Sequence, residues 1–202
     1  MSNADILAEA KRLKADAKRH RDIDDTAGAL DAMDRAIEIL QKAGEPESVR
    51  AELADSWGMK GGILRRAGRL PEALDAYKKG LEYESGDSYN LTNSVVLRLL
   101  INPLQFHQSR AQIEDARAEV DRQRPVRSSQ WWFWADLGLL ELLSGQEDRA
   151  LDAYRHFSGT GARASDYEST ISVLEELSDK FAGSNLGASL KGAIAFLQRL
   201  KP

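Results

Sequence analysis

The feature that most constrains this chain is a block that occurs twice. Gly68-Arg69-Leu70-Pro71-Glu72-Ala73-Leu74-Asp75-Ala76-Tyr77 returns as Gly145-Gln146-Glu147-Asp148-Arg149-Ala150-Leu151-Asp152-Ala153-Tyr154. Both copies carry Ala-Leu-Asp-Ala-Tyr with a glycine five residues ahead of it, and a weaker copy, Ala29-Leu30-Asp31-Ala32-Met33, lies near the start. Upstream, Trp57 and Gly61 precede the first block at the spacing at which Trp134 and Gly138 precede the second. Self-similarity of this kind points to stacked supersecondary units.

The units are helical. Apolar residues recur three, four or seven apart at Leu53, Trp57 and Leu64, at Leu70, Leu74, Tyr77 and Leu81, at Tyr167, Ile171, Leu174 and Phe181, and at Leu186, Leu190, Ile194 and Leu197. Such spacing places each set on one helix face, and no stretch alternates as a strand does. Glycine- and proline-bearing breaks separate the periodic segments: Gly44-Glu45-Pro46, Gly68-Arg69-Leu70-Pro71, Gly86-Asp87-Ser88, Asn102-Pro103, Arg124-Pro125 and Gly159-Thr160-Gly161. Pro71 suits a first helical turn, where its missing N–H costs nothing. Ser165 and Glu168 have capping-box spacing. The pattern predicts about ten helices joined by short turns, hence antiparallel neighbours in a row of hairpins. The hairpins are expected at about 5–43, 46–84, 88–124, 129–158 and 165–200, in a single domain over 1–202.

These residues resemble the tetratricopeptide repeat (TPR) family. Trp57 and Trp134 match the large apolar residue early in the family's first helix, and Gly61 and Gly138 match its small residue at the close helix contact. Gly68 and Gly145 match the turn glycine, Ala73 and Ala150 the small residue of the second helix, and Tyr77 and Tyr154 its aromatic. The matched repeats cover roughly 51–84 and 131–158, near the family period of about 34 residues. The first hairpin is degenerate, with Met33 at the aromatic position; the middle one loses the signature, and the last pair reads as a terminal cap. The resemblance implies an all-α fold, a right-handed α-α superhelix or TPR-like solenoid of about five helix hairpins. Trp134-Ala135-Asp136-Leu137-Gly138, Ala150, Tyr154, Phe157 and Tyr167-Glu168-Ser169-Thr170 are also similar to bacterial TPR sensor modules related to the central region of apoptosis signal-regulating kinases. That second resemblance implies sensing or scaffolding.

Composition removes several classes of function. Net charge is −4 across 202 residues, which gives no global pull toward nucleic acid or anionic membrane. There is no cysteine, so thiolate catalysis, disulfides and cysteine-based zinc sites are excluded. Residues 1–11 hold no apolar stretch of signal-peptide length, and Trp131–Leu143 is too short to span a bilayer and is interrupted by Asp136 and Glu141. A cytoplasmic protein is expected. Phosphate-loop, zinc-protease and nucleophile-elbow motifs are absent. His20, His107 and His156 have no metal-ligand spacing. No catalytic residue, metal or cofactor is expected, and the chain is read as a non-enzyme.

Binding residues are sought instead on the face that lines the concave groove in the TPR family. Lys11, Lys14, Lys18 and Arg21 form one basic stripe on the first helix. Gly58 and Gly62 share a face of a later helix; glycine inside a helix costs roughly 0.8–1 kcal/mol relative to alanine, so bare backbone there needs a reason. The reason is either room for a ligand or close packing of a neighbouring helix. Arg65, Asn90 and Asn93 add polar groups, and Trp132 aligns with a groove position within Trp131-Trp132-Phe133-Trp134. The plainer reading of the stripe is a solvated helix face, and of the tryptophans, burial by flanking helices. The sharper reading is a groove for a protein or peptide partner, or an anionic ligand. A carboxylate clamp of the family's kind is not expected, because Gly58 and Gly62 occupy its positions. The expected function is a non-catalytic interaction scaffold or ligand-sensing module. The alternatives are a structural oligomerisation module, which an exposed apolar face on Leu186–Leu200 would favour, and an enzyme subunit with a groove-located site.

Overall fold

A computed structural model of the chain describes residues 2–44 and 46–202; Met1 and Glu45, the latter in the expected Gly44-Glu45-Pro46 break, lie outside the described residues. Among the described residues there are α-helices and one 3-10 turn, and no strand. The helices are α1 (Asn3–Asp22), α2 (Thr26–Lys42), α3 (Glu47–Arg66), α4 (Leu70–Tyr83), α5 (Ser88–Ile101), α6 (Arg110–Arg122), α7 (Arg124–Arg127), α8 (Trp131–Leu143), α9 (Glu147–Gly159), α10 (Ala164–Lys180) and α11 (Asn185–Leu200). None is long and apolar enough to cross a membrane. The chain divides into two compact units, Met1–Leu97 and Arg98–Pro202. The helices of the expected hairpin at 88–124 thus fall largely to different units.

In the first unit α1 packs on α2 and α3 on α4 as hairpins, and α2 also packs on α3. In the second, α8 pairs with α9 and α10 with α11, while α6 lies against α8. The two repeated hairpins are built alike. Gly61 on α3 faces Tyr77 on α4, and a Cβ at residue 61 would lie 2.8 Å from the tyrosine Cε1. Gly138 on α8 faces Tyr154 on α9 in the same way, at 2.6 Å. Both tyrosines are fully buried. A side chain at either glycine would force the ring out, so the small residue sets the helix separation and the ring fills it.

The turns repeat as well. Gly68 and Gly145 take φ of 73° and 76°, a left-handed conformation that glycine adopts without a Cβ penalty. After α3, the N–H of Arg69 donates to the Leu64 carbonyl and that of Gly68 to Arg65; after α8, Gln146 donates to Glu141 and Gly145 to Leu142. Each such pair of bonds satisfies carbonyls that the helix end leaves open. Pro71 sits in the first turn of α4, as expected. The cap of α10 lies two residues earlier than Ser165 and Glu168 suggest: the Arg163 N–H donates to Asp166 at 2.8 Å, and Glu168 pairs instead with Lys201.

The helix that follows each repeated hairpin is seated differently. Tyr89 and Asn90 at the start of α5 enter a slot between α3 and α4. A Cβ at Gly58 would meet Asn90 Oδ1 at 2.8 Å, and one at Gly80 would collide with the Asn90 amide. Asn90 Nδ2 donates to the Ala54 carbonyl at 3.0 Å in a buried setting. After the second hairpin, Tyr167 of α10 meets Phe157 of α9 edge-on, centroids 4.6 Å apart.

Replacing Tyr77 or Tyr154 with alanine removes the ring that fills its hairpin and is expected to cost about 3–5 kcal/mol. Gly61→Ala and Gly138→Ala should also destabilise, by overpacking the same contact. Urea denaturation followed by far-UV dichroism checks all four; variants that unfold at the parent's midpoint would show that the glycine–tyrosine contacts do not hold the hairpins.

Candidate functional site

The first unit brings α1, α3 and the start of α5 together on one side. A small pocket of about 110 Å³ lies there. Lys18 and Arg21 come from α1, Gly62 and Arg66 from α3, and Tyr89 from α5, over an apolar base of Ala17, Met59 and Ile63. Each is placed by helical spacing: Lys18 and Arg21 are one turn apart, as are Gly62 and Arg66. Gly62 keeps the wall low, since a Cβ there would come within 3.1 Å of the Tyr89 hydroxyl.

The pocket's field is positive. Asp22 lies at its edge, 2.7 Å from Arg21 Nη2. A hydrogen bond from Arg21, and then the charges of Arg21, Lys18 and Arg66 acting against partial desolvation, hold the Asp22 carboxyl below the usual range. Arg21 is therefore partly answered by Asp22, while Lys18 and Arg66 make no ion pair among the described residues. Three cations around one small concavity can hold a carboxylate or a phosphate.

The structure separates the other candidate residues. Lys14 reaches across to α3 and bridges Glu52 and Asp55, with only 15% of its side chain exposed. Burial lowers its pKa, but the charges of Asp55 and Glu52 and the hydrogen bonds to both outweigh it, and the net shift is upward. Lys11 is exposed. Gly58 is buried beneath Asn90 and Tyr89, so its bare backbone meets a packed neighbour and not a free space. Asn90 is itself buried in the slot. Arg65 Nη1 donates to Asn93 Oδ1 at 3.3 Å. Trp132 belongs to the second unit, half-buried on α8, with the Arg127 guanidinium 5.5 Å from its ring centroid. Trp134 is buried, and its indole N–H donates to the Ser128 carbonyl at 2.8 Å.

The pocket's apolar base escaped the sequence reading, as did two of its polar residues. Arg66 follows Gly62 by one helical turn and is the residue that a strict four-residue step would have selected over Arg65. Tyr89 left no periodic signal, because its place depends on how α5 enters the slot. No group of three His, Asp or Glu side chains is placed to hold a metal ion among the described residues.

Solved structures share the architecture. TTC0263, a thermophilic TPR protein from Thermus thermophilus, superposes with a TM-score of 0.55 at 13% identity, over 94% of this chain and 99% of that one. The fold is that of tetratricopeptide repeat proteins. A variant of a Podosopora anserina putative kinesin light chain with nearly identical TPR-like repeats gives a TM-score of 0.50 at 15% identity, over 95% of this chain and 94% of that one. At such identities the likeness speaks for the fold. No protein-family model matches the chain, and no curated protein matches its sequence.

Lys14→Met leaves two carboxylates without their shared cation and is expected to cost about 1–3 kcal/mol. Lys18→Met, on the same helix face but unpaired, should change stability by less than about 0.5 kcal/mol. Because the folded pKa of Lys14 is raised, the bridge contributes fully below the ordinary lysine value of 10.5 and is lost only as pH rises through the folded value. Urea midpoints of both variants between neutral and strongly alkaline pH check the sign and the ranking.

Proposed function

We propose that this TPR-fold chain is a non-catalytic interaction scaffold whose first unit receives an acidic segment of a partner protein, seated by one carboxylate in the pocket between α1 and α3. The observation that supports it most is the pairing pattern on the basic stripe. Lys14 is consumed by Glu52 and Asp55, whereas Lys18 and Arg66 face the pocket without an ion pair among the described residues. Concentrating unanswered charge at a concave point of that face is what recognition of an anionic group requires. The pocket's volume suits a single carboxylate, and its apolar base of Ala17, Met59 and Ile63 suits the alkyl stem of a glutamate. An oligomerisation role draws less support: Leu190 and Leu197 of α11 are buried within their own unit, and Leu186, Ile194 and Leu200 are half-buried.

The double reversal Lys18→Glu and Arg66→Glu should lower affinity for an acidic peptide at least tenfold, about 1.4 kcal/mol, while leaving the melting temperature within a degree or two. Calorimetry with a glutamate-rich peptide, and with inorganic phosphate in parallel, at low and moderate salt reads this directly. Binding should weaken with salt. Equal affinity of parent and double variant would sink the proposal, and tighter binding of phosphate than of peptide would redirect it to a small-anion sensor.

A further inference from the structure

The second unit holds a polar side chain that its repeat packing does not require. The register that aligns Trp57 with Trp134 and Tyr77 with Tyr154 aligns Leu64 with Glu141. Both are buried, Leu64 at 3% exposure and Glu141 at 2%. A leucine there needs only neighbours in contact. A carboxylate needs partners, because burial removes its water without replacing the hydrogen bonds. Glu141 has half of what it needs. Oε1 lies 3.5 Å from Arg117 Nη1, at the limit of a hydrogen bond, and Oε2 has no hydrogen-bond partner among the described residues. Arg117 is divided, since its Nε makes the shorter bond, 3.0 Å, to Glu114. Burial pushes the Glu141 carboxyl above its usual range, with Arg117 and Arg149 pulling the other way.

Glu141 lines a depression of about 660 Å³ formed by α6, α7, α8 and α9. Leu137 and Trp134, one and two turns before it on α8, supply an apolar wall. The tryptophan is held in place by its bond to Ser128 and by His156 stacked on the ring at 4.3 Å. Around the rim, Arg124 pairs with Asp121 at 2.6 Å and Arg155 with Asp152 at 3.7 Å. Asp148 and Arg149 add one charge of each sign. The rim charges therefore cancel nearly in pairs, and Glu141 Oε2, enclosed behind them, is left as an acceptor without a hydrogen-bond partner among the described residues.

We propose that this depression binds an arginine side chain of a partner protein, its guanidinium donating to Glu141 Oε2 and its alkyl stem lying along Trp134 and Leu137. A guanidinium fits better than an ammonium. It is planar, gives several donors in a fixed fork, is weakly hydrated and so enters a buried pair more readily, and lies well against an aromatic wall. The site is distinct from the pocket between α1 and α3 and stands or falls without it.

The test is an NMR titration of the full chain, read at the indole N–H of Trp134, which the Trp134→Phe spectrum assigns. N-acetyl-arginine amide, N-acetyl-lysine amide and N-acetyl-norleucine amide are the probes. The arginine probe should shift the resonance saturably, the lysine probe should bind several-fold more weakly, and the neutral one should have no effect. Glu141→Gln keeps the shape and removes the charge; it should weaken the arginine probe at least tenfold. Glu141→Leu, which restores the residue of the first repeat, should fold and abolish the effect, and it serves where the glutamine variant does not fold. Asp148→Asn on the exposed rim should matter only two- to threefold. No saturable shift with the arginine probe, or binding to Glu141→Leu as tight as to the parent, overturns the proposal.

Discussion

Everything in the two repeated hairpins depends on a tyrosine ring laid against a bare glycine. Gly61 with Tyr77 and Gly138 with Tyr154 bring two helix axes closer than any side chain would allow, and the ring then fills the wedge that the crossing leaves. Left-handed glycines at Gly68 and Gly145 then end the first helix of each pair and turn the chain back within a few residues. The outward faces are free to carry charge. On the first unit α1, outside the repeated hairpins, carries a basic stripe that is partly consumed as ion pairs to α3 and partly left open at the pocket.

The contrast between Lys14 and Lys18 shows how a stripe of identical residues is divided by its surroundings. One turn of helix separates them, yet one is closed in by Glu52 and Asp55 of α3 and the other looks into a concavity edged by Arg66. The first is a fastening between α1 and α3. The second makes no ion pair among the described residues and feels Asp22 only at a distance, so its charge stabilises little in the free protein and becomes useful when an anion arrives.

The hairpin architecture was legible in the sequence because its demands are local: a small residue, a ring and a turn glycine at fixed offsets. The candidate site was legible only in part. Lys18, Arg21 and Gly62 could be placed by helical spacing, but the partners of Lys14 are 38 and 41 residues away and no period announces them. Gly58 read equally as a floor for ligand or for a neighbour, and the choice depended on the side chains of Tyr89 and Asn90, which no pattern connects to it. Glu141 read as an interruption of an apolar helix, and only its burial turns the interruption into a question of chemistry. The α10 cap slipped by two residues because the Asp166 carboxylate, not Glu168, takes up the backbone N–H three residues ahead of it, which starts the helix at Ala164 and puts Ser165 inside its first turn.

The slot that takes Asn90 has a bearing on how a chain of look-alike parts assembles at all. Two hairpins share their interior so closely that either could in principle accept the other's following helix. The same register that aligns the hairpins aligns Gly80 with Phe157 and Asn90 with Tyr167, so the seams differ where the interiors agree. Gly80 leaves a gap shaped for an amide that reaches the Ala54 carbonyl, and Phe157 presents a ring edge to another ring. Exchange the two helices, and an amide is buried against a phenyl ring, while a tyrosine meets a space cut for an asparagine. Mispairing of near-identical modules is a characteristic failure of repeat proteins. Here the penalty against it is written into two positions at the joints, leaving the modules themselves free to stay alike.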